Sequence, residues 1–246
     1  MLELFFGTTN AGKLRELRRL VGGLPVRVVS PDELGRPLPE VLEDGLTFRE
    51  NAEKKAAAYA LAASRHALAD DSGLCVDALS GAPGVHSARW SELEDGLASP
   101  ACGLPGAADR ELGIELSRAA RDEANNDKLL RALQGREGAQ RDAAYVAVLA
   151  LAAPDGQILA TVEGSCRGRI GHVRLGKNGF GYDPLFVPEA ELVRLRQDLP
   201  PAPGSRAPRT MAELEPAEKD ALSHRGAAFR ALRPILEQLA FDKIGR

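Results

Sequence analysis

The feature that most constrains the fold is a pair of apolar segments separated by a turn. Residues 144–152 read AYVAVLALA and residues 158–164 read ILATVEG, with Pro154-Asp155-Gly156 between them. Runs rich in apolar and β-branched residues favour strands, and a Pro-Asp-Gly sequence favours a tight turn. We therefore predict a β-hairpin in the second half of the chain.

Further short apolar runs predict strands in the first seventy residues. They lie at 2–6, 26–29 and 66–70. The last of these runs, HALAD, ends at Asp70 and Asp71, and we expect the chain to turn at Ser72-Gly73, because aspartate, serine and glycine favour turns.

Helical periodicity lies between these strands. After Asn10, one helix face would carry Leu14, Leu17, Leu20 and Val21. Farther along, Thr47 and Glu50 form a T-x-x-E capping box, which predicts a helix that runs to about Ala63.

The remaining chain contains two loop excursions and a closing helical segment. The first excursion, at 91–124, is rich in small and charged residues and would be followed by a helix through Leu133. The second, at 191–210, is rich in proline and arginine. Pro216 suits the first turn of the closing segment. Pro234 would kink that segment, and its buried face would comprise Leu232, Ile235, Leu236 and Leu239.

Strands that alternate with helices and are followed by a hairpin predict an α/β protein with a mixed sheet. The 246 residues suffice for one large domain or for two tightly joined lobes. Because strong elements flank both excursions, we interpret neither as a linker and treat 1–246 as a single domain.

Composition excludes several classes of protein. The chain is 44% hydrophobic and 27% charged, which is typical of a soluble globular protein. Its net charge of −3 produces no general attraction to nucleic acid or to an anionic membrane, so any phosphate site must be local. The first residues lack the basic segment and long apolar stretch of a signal peptide, so we expect none, and no apolar run approaches the roughly 20 residues that span a bilayer. Cys75, Cys102 and Cys166 form no C-x-x-C pair, so we expect a reduced, cytoplasmic setting and no zinc site.

A candidate phosphate loop, GTTNAGK at 7–13, lies between the first strand and the first helix. The start of a helix offers backbone N–H groups to an anion, and Lys13 adds a full positive charge. The same residues could form an ordinary strand-to-helix turn. They also match the G-x-x-x-x-G-K pattern of a P-loop, but Leu14 replaces the serine or threonine that would hold magnesium.

Two pairs of carboxylates are candidates for metal binding and base catalysis. Glu43 and Asp44 precede the capped helix, and Asp70 and Asp71 end the third predicted strand. Carboxylate oxygens suit Mg²⁺, and adjacent aspartates repel each other unless a cation or hydrogen-bond donors compensate. Helix capping and turn formation are the alternative explanations for these residues.

A glycine-rich segment and a basic segment are candidates for recognition of a base. NGFGYDP at 178–184 places two aromatic residues among glycines, so Phe180 could stack on a base and Asp183 could accept its hydrogen bonds. Lys219 and SHRG at 223–226 would supply donors. The alternative explanations are a packed aromatic turn and, for His224, a structural role, which is the more common one for a lone histidine.

Taken together, five segments resemble the inosine triphosphate pyrophosphatase family, and their order and approximate spacing match that family from end to end. They are TTNAGKLREL (8–17), EDGLTFRENAEKKA (43–56), ADDSGLCVDALSGAPGVHSARW (69–90), GFGYDP (179–184) and LSHRG (222–226).

The resemblance implies hydrolysis of dITP, ITP and XTP to the monophosphate and pyrophosphate, with Mg²⁺ as cofactor. Glu43 and Asp71 would bind the metal, and Asp71 would also act as the base toward water. Lys55 would lie near the phosphates and Ser72 would contact the substrate. The triphosphate would be held by Thr8, Thr9, Asn10, Ala11, Gly12 and Lys13.

For the base, the resemblance implies that Phe180 stacks on the purine. The family recognises the keto group at purine position 6 and disfavours adenine, which is consistent with a donor such as Arg225. The pocket would be lined by Gly181, Tyr182, Asp183, Lys219, His224 and Arg225.

The resemblance also implies a fold and an assembly. The expected fold is an elongated mixed β-sheet flanked by helices, with two lobes and the active site in a central cleft, and the expected assembly is a homodimer. The segment between Trp90 and Asn125 is longer than usual for the family and lacks its usual pattern, and the 191–210 loop is also long. Neither departure removes a motif residue.

Three alternatives remain open on the sequence alone. A P-loop phosphotransferase would need an acceptor substrate, and Leu14 counts against it. A nucleotide-binding or nucleic-acid-binding module would bind without releasing pyrophosphate. A Maf-type nucleotide pyrophosphatase, of related fold, would differ in its choice of substrate.

Overall fold

The computed structural model describes residues 1–35, 38–93, 117–197 and 208–244. The chain forms two compact units, which we call the first unit and the second unit. The first unit comprises Met1–Asp71, Ala147–Gly164 and His224–Arg246, and the second comprises Ser72–Val146 and Ser165–Ser223.

Six strands form one sheet in the order β2-β1-β3-β4-β5-β6. Strand β1 is parallel to β2 and β3, whereas β5 is antiparallel to β6, so the prediction of a mixed sheet is confirmed. The strands are β1 (Leu2–Phe6), β2 (Val26–Val29), β3 (His66–Val76), β4 (Asp142–Ala152), β5 (Ile158–Ile170) and β6 (Phe186–Pro188).

Helices flank the strands in sequence, as expected for an α/β protein. They are α1 (Ala11–Leu20), α2 (Pro31–Leu34), α3 (Phe48–Ala63), α4 (Arg118–Ala132), α5 (Glu189–Arg196), α6 (Pro216–Leu222) and α7 (His224–Ile244). Among the described residues, no helix is long and apolar enough to cross a membrane.

In the first unit, β1 is buried on both of its faces. Leu4 and Phe6 pack in one core cluster with Leu17 of α1 and Leu232 of α7. Phe5 belongs to a second cluster with the alanine-rich face of α3. Because neighbouring side chains of a strand point to opposite faces, this continuous apolar run places helices on both sides of β1.

The second unit has its own apolar core. Its largest members include Trp90, Leu129, Tyr145 and Phe186, and the rings of Tyr145 and Phe186 lie 4.6 Å apart between centroids. This core anchors the segment that follows β5, because Tyr182 belongs to the same cluster.

The predicted local elements are confirmed where their signals were strong. Asn10 caps α1, and Thr47 and Glu50 form the capping box that begins α3. The hairpin is also present: β4 and β5 are neighbours in the sheet, and Ala153 N–H donates to Gln157 O at 2.8 Å in the turn between them.

The predicted turn at Ser72-Gly73 is wrong, because β3 continues to Val76. Leu74 and Val76 are fully buried, so packing overrides the turn preference of the polar residues before them. Gly73 permits close approach of the chain: a Cβ atom there would lie 2.3 Å from Ser87 Oγ.

Both predicted excursions contain helical residues. Helix α4 begins at Arg118, with the Ser117 side chain as its N-cap, so its first turns lie inside 91–124. Helix α5 ends at Arg196 and therefore occupies the start of 191–210; its acidic first turn, Glu189 to Glu191, favours a helix N-terminus. Residues 94–116 and 198–207 of the two excursions lie outside the described residues.

The closing helical segment is divided into two helices. Pro216 occupies the first turn of α6 as predicted, but the extended backbone of Ser223 (φ −72°, ψ 156°) separates α6 from α7. Helix α7 contains Pro234 in its interior. Leu232 and Leu236 are fully buried, and the other two predicted core residues, Ile235 and Leu239, are partly buried.

Candidate active site

The candidate phosphate loop joins β1 to α1. Gly7 is required by packing, because a Cβ atom there would lie 2.0 Å from the ring of Tyr59. Thr8 Oγ1 accepts a hydrogen bond from Asn10 N–H at 3.1 Å, and Asn10 Oδ1 accepts from the N–H groups of Gly12 (2.8 Å) and Lys13 (3.3 Å). These local bonds define the start of the helix.

The amides of Gly12 and Lys13, which were expected to face an anion, are therefore already capped by Asn10. The loop retains other donors. The Asn10 side chain is buried, and within the described part of the chain its Nδ2 has no hydrogen-bond partner. Thr9 and Ala11 are exposed, and Thr8 is half-buried. Phosphate binding here would thus depend on side chains and on the exposed edge of the loop.

A buried ion-pair network connects α1, β3 and α7. Lys13 Nζ lies 2.6 Å from Asp70 Oδ1, and Arg225 Nε lies 2.6 Å from Asp70 Oδ2. Arg225 also contacts Glu16 Oε2 at 3.0 Å. Burial lowers the pKa of Lys13, and the charge of Asp70 partly offsets that effect. Asp70 therefore holds two cationic side chains beside the loop.

A second ion-pair network centres on Lys55 of α3. Its Nζ lies 2.7 Å from Asp71 Oδ1 and 2.9 Å from Glu43 Oε2. Asn51, one turn earlier on α3, donates from Nδ2 to Asp71 Oδ2 at 3.4 Å. Asp44 lies apart from this group and pairs with Lys54. Of each predicted carboxylate pair, one member thus pairs with Lys55 through its carboxylate, and Lys55 also donates to the backbone oxygen of Asp70 at 3.2 Å.

Burial changes the acidity of these carboxyl groups. Burial raises the pKa of Asp71 to about 6, and the Glu43 charge adds to this effect, although Lys55 opposes it. Burial also acts on Glu43, but there Lys55 outweighs it and holds the pKa below its usual range. A carboxyl group with a pKa near 6 can both release and accept a proton close to neutral pH.

The donor set suits a hard divalent cation that takes only part of its coordination from the protein. Among the described residues, no group of three or more histidine, cysteine, aspartate or glutamate side chains could form a complete metal cage. Mg²⁺ characteristically uses one or two carboxylates and completes its coordination with water and phosphate oxygens. Glu43 and Asp71 fit that requirement, because their oxygens already converge on one ammonium group.

In the second unit, Asp183 organises the predicted base-binding segment. Its Oδ2 accepts from Phe180 N–H at 2.9 Å and from Lys219 Nζ at 2.7 Å. Lys219 Nζ also lies 4.9 Å from the centroid of the Phe180 ring, in cation–π geometry. Gly179 (φ +80°) is necessary here, because a Cβ atom would lie 2.0 Å from Asp183 Oδ2.

The other predicted residues occupy different positions. Tyr182 is buried in the core of the second unit, and its hydroxyl donates to Ser87 O at 3.0 Å; burial raises its pKa. Ser72 is half-buried on β3, and His224 is buried at the start of α7. The structure thus groups Arg225 with Asp70 in the first unit, whereas Lys219 contacts Phe180 and Asp183 in the second.

Several residues of these clusters were not predicted. Glu16 follows Lys13 by three residues, so the two lie on one face of α1, but a single acidic residue in a helix is usually solvated. Asn51 and the pair Asp122 and Asn126 likewise have no recognisable motif. Asp122 Oδ2 accepts from Gly181 N–H at 2.9 Å, and Asn126 Nδ2 donates to Gly181 O at 2.9 Å.

The chain resembles proteins of one family over nearly its whole length. The profile of the Ham1 family matches residues 4–235. A dITP/XTP pyrophosphatase of Anaeromyxobacter dehalogenans is 65% identical over 240 residues, which cover 97% of this chain and 99% of that protein. Another, from Anaeromyxobacter sp. (strain Fw109-5), is 60% identical over 97% of this chain and 98% of its own length.

Solved structures agree with these sequence comparisons. A HAM1 protein from Coxiella burnetii is 33% identical and superimposes with a TM-score of 0.70, covering 97% of this chain and 100% of its own. The matches in sequence and in fold both extend over nearly the whole length, and the chain belongs to the Ham1 family.

Proposed function

We propose that the chain hydrolyses dITP, ITP and XTP to the corresponding monophosphate and pyrophosphate, with Mg²⁺ as cofactor, and so removes aberrant purine nucleotides from the nucleotide pool. The observation that carries this proposal is that Glu43 and Asp71 both pair with Lys55. Asp70, which precedes Asp71 in the chain, pairs with Lys13. The names of the similar proteins support the same substrate class.

In the proposed reaction, water attacks the triphosphate and the α–β phosphoanhydride bond breaks. Asp71 accepts a proton from the attacking water, which its pKa of about 6 permits because the carboxylate form predominates at neutral pH. Glu43 and Asp71 would hold Mg²⁺, which when bound neutralises negative charge on the phosphate oxygens.

The cationic side chains would stabilise the charge that develops on phosphate. Lys13 and Lys55 are held by buried carboxylates, so they need little reorganisation before the reaction. Arg225 is held in the same way by Asp70 and Glu16. In the loop, the Thr8 side chain and the buried Nδ2 of Asn10 would supply further polar contacts to the triphosphate.

The purine would be recognised by the segment that contains Phe180. Stacking of a base on an aromatic ring contributes about 1–3 kcal/mol in proteins that bind single-stranded nucleic acid. Lys219 can donate to a keto oxygen at position 6, whereas the amino group of adenine cannot accept such a bond. With this donor, the protein would bind inosine and xanthosine nucleotides in preference to ATP.

We also propose a homodimer in the cytoplasm that does not bind nucleic acid. The resemblance to the family supports the dimer, and the net charge of −3 gives no basis for attraction to nucleic acid. Cys166 is a free thiol, in keeping with a reduced compartment, and Cys102 lies outside the described residues. Light scattering of the purified protein would test the dimer.

The alternatives predict different products. A P-loop phosphotransferase is disfavoured because Leu14, at the position of the magnesium-binding hydroxyl, packs against the core of the first unit. A Maf-type pyrophosphatase is disfavoured by the match to the Ham1 family. A module that binds without catalysis would release no pyrophosphate.

A panel of substrates tests the proposal. The protein is incubated with dITP, ITP, XTP, ATP or GTP, with and without Mg²⁺, and the products are identified by phosphorus NMR. We expect pyrophosphate and monophosphate from the first three, and much slower turnover of ATP. Orthophosphate as the first product, or equal turnover of ATP, would contradict the proposal.

A further inference from the structure

Helix α4 holds Gly181, the residue after Phe180, through both its N–H group and its carbonyl group. Asp122 accepts a hydrogen bond from Gly181 N–H, and Asn126 donates one to Gly181 O, each at 2.9 Å. Because residues four apart on a helix lie one above the other, the two side chains form a single clamp on one face of α4. Gly181 has a positive φ of 64°, so the clamp holds a backbone conformation that other residues rarely adopt.

The clamp completes the hydrogen bonding of the main chain around Phe180. Phe180 N–H donates to Asp183 Oδ2, and Phe180 O accepts from Asp183 N–H at 3.4 Å. The next N–H and the next carbonyl belong to Gly181 and contact α4. The backbone on both sides of the aromatic ring is therefore fixed, half of it by Asp183 and half by α4.

The helix that supplies the clamp is itself firmly anchored. Asn125, adjacent to Asn126, donates from Nδ2 to Ser87 O and Ala88 O, and its Oδ1 accepts from Ser91 N–H at 2.7 Å. Asn125 and Asn126 are each only 1% exposed. Buried hydrogen bonds of this kind are costly to lose, so α4 is a rigid support for the segment.

We propose that Asp122 and Asn126 are positioning residues that set the orientation of Phe180 for the purine base, and so determine affinity for the base and not for the triphosphate. This inference rests on the proposed function. When one hydrogen bond of the clamp is lost, the backbone around Phe180 samples other conformations. The apparent affinity for the nucleotide then falls with the fraction of molecules in which Phe180 can still stack on the base.

The test compares Asp122→Ala with Asp122→Asn, which keeps an oxygen acceptor for Gly181 N–H. The matched control is Asp127→Ala on the same helix, where the side chain is exposed and pairs with Arg174. We expect Asp122→Ala to raise the KM for dITP about tenfold, with kcat changed by less than about twofold. Asp122→Asn should recover most of the loss, and Asp127→Ala should match the wild type.

A ligand without a base separates positioning from a general loss of structure. Inorganic tripolyphosphate, tested as a competitor of dITP, should have the same inhibition constant in Asp122→Ala and in the wild type. Asn126→Asp replaces the donor to Gly181 O by a carboxylate and should raise KM in the same manner. It carries the same test if Asp122→Ala does not fold.

Binding of inosine monophosphate, measured by calorimetry, gives a readout without turnover and should weaken in both variants. If the wild type hydrolyses dITP but Asp122→Ala and Asn126→Asp keep the wild-type KM, the inference is overturned and the proposed function is not. A weakened affinity for tripolyphosphate equal to that for dITP also overturns it. Wild-type protein that neither hydrolyses dITP nor binds inosine monophosphate overturns both the inference and the proposed function.

Discussion

Arg225 Nε donates to Asp70 Oδ2 at 2.6 Å, although the two residues are 155 positions apart in the chain. The other carboxylate oxygen of Asp70 binds Lys13 Nζ. One carboxylate with only 1% side-chain exposure therefore positions two cations, one from α1 and one from α7. Asp70 acts here through Lys13 and Arg225, and Asp71, its neighbour, contacts Lys55.

Replacement of Asp70 should destabilise the first unit and weaken substrate binding. Asp70→Asn removes the charge that compensates Lys13 and Arg225, and breaking a buried ion pair costs about 3–5 kcal/mol. We expect a loss of that order in denaturant unfolding, with a raised KM for dITP. Asp77→Asn, which disrupts the exposed pair with Arg167, should change stability by less than about 1 kcal/mol. Equal effects of the two substitutions would contradict the role of Asp70.

The titration of Asp71 should reveal its environment. In metal-free protein, carboxyl carbon NMR should give a pKa of about 6, because burial favours the neutral form. Lys55→Met removes the nearest positive charge and should raise that pKa further. A cation binds the carboxylate form, so added Mg²⁺ should lower the apparent pKa, and affinity for Mg²⁺ should fall as the pH drops below about 6. A pKa near that of a free aspartate would contradict the buried site.

The sequence allowed local elements to be predicted, because their causes are local. The Thr47 and Glu50 capping box and the turn at Pro154-Asp155-Gly156 depend on residues a few positions apart, and both are present. The continuation of β3 through Asp70 and Asp71 could not be predicted. Aspartate disfavours strands, and side chains from distant segments compensate for its burial there.

The candidate site could be predicted by residue type but not by partnership. Nothing in the spacing of charges indicates that Arg225 pairs with Asp70 and that Lys219 pairs with Asp183. The contribution of α4 could not be predicted either. Asn126 contacts a backbone oxygen, and because every residue has one, the sequence does not indicate the partner. Such pairings depend on the tertiary fold, which periodicity alone does not specify.

Gly7 should tolerate no side chain. In Gly7→Ala, the new methyl group would lie 2.0 Å from the ring of Tyr59, so the ring or the phosphate loop must move. Overpacking of this kind typically costs about 1–3 kcal/mol of unfolding free energy. A double-mutant cycle checks the cause: in a Tyr59→Leu background, Gly7→Ala should cost measurably less. An equal cost in both backgrounds would mean that Tyr59 is not the obstacle.

Arg209 should be essential for the stability of the second unit. It contacts Glu191 of α5 and Glu218 of α6, at 2.8 Å and 2.9 Å, and Glu191 is almost fully buried. Arg209→Met leaves that buried charge without its main partner and should cost about 3–5 kcal/mol in thermal or denaturant unfolding. Arg194→Met removes only the half-exposed contact of Glu191 and should cost less than about 1 kcal/mol.

The shared role of Glu43 and Asp71 is tested most directly by Asp71→Asn, assayed for pyrophosphate release from dITP with Mg²⁺. Asp44→Asn is the matched control, because Asp44 pairs with Lys54 and lies outside the Lys55 network. We predict that Asp71→Asn stays folded and loses activity by about 100-fold or more, whereas Asp44→Asn keeps it. An Asp71→Asn protein that retained most of the wild-type kcat would contradict the account.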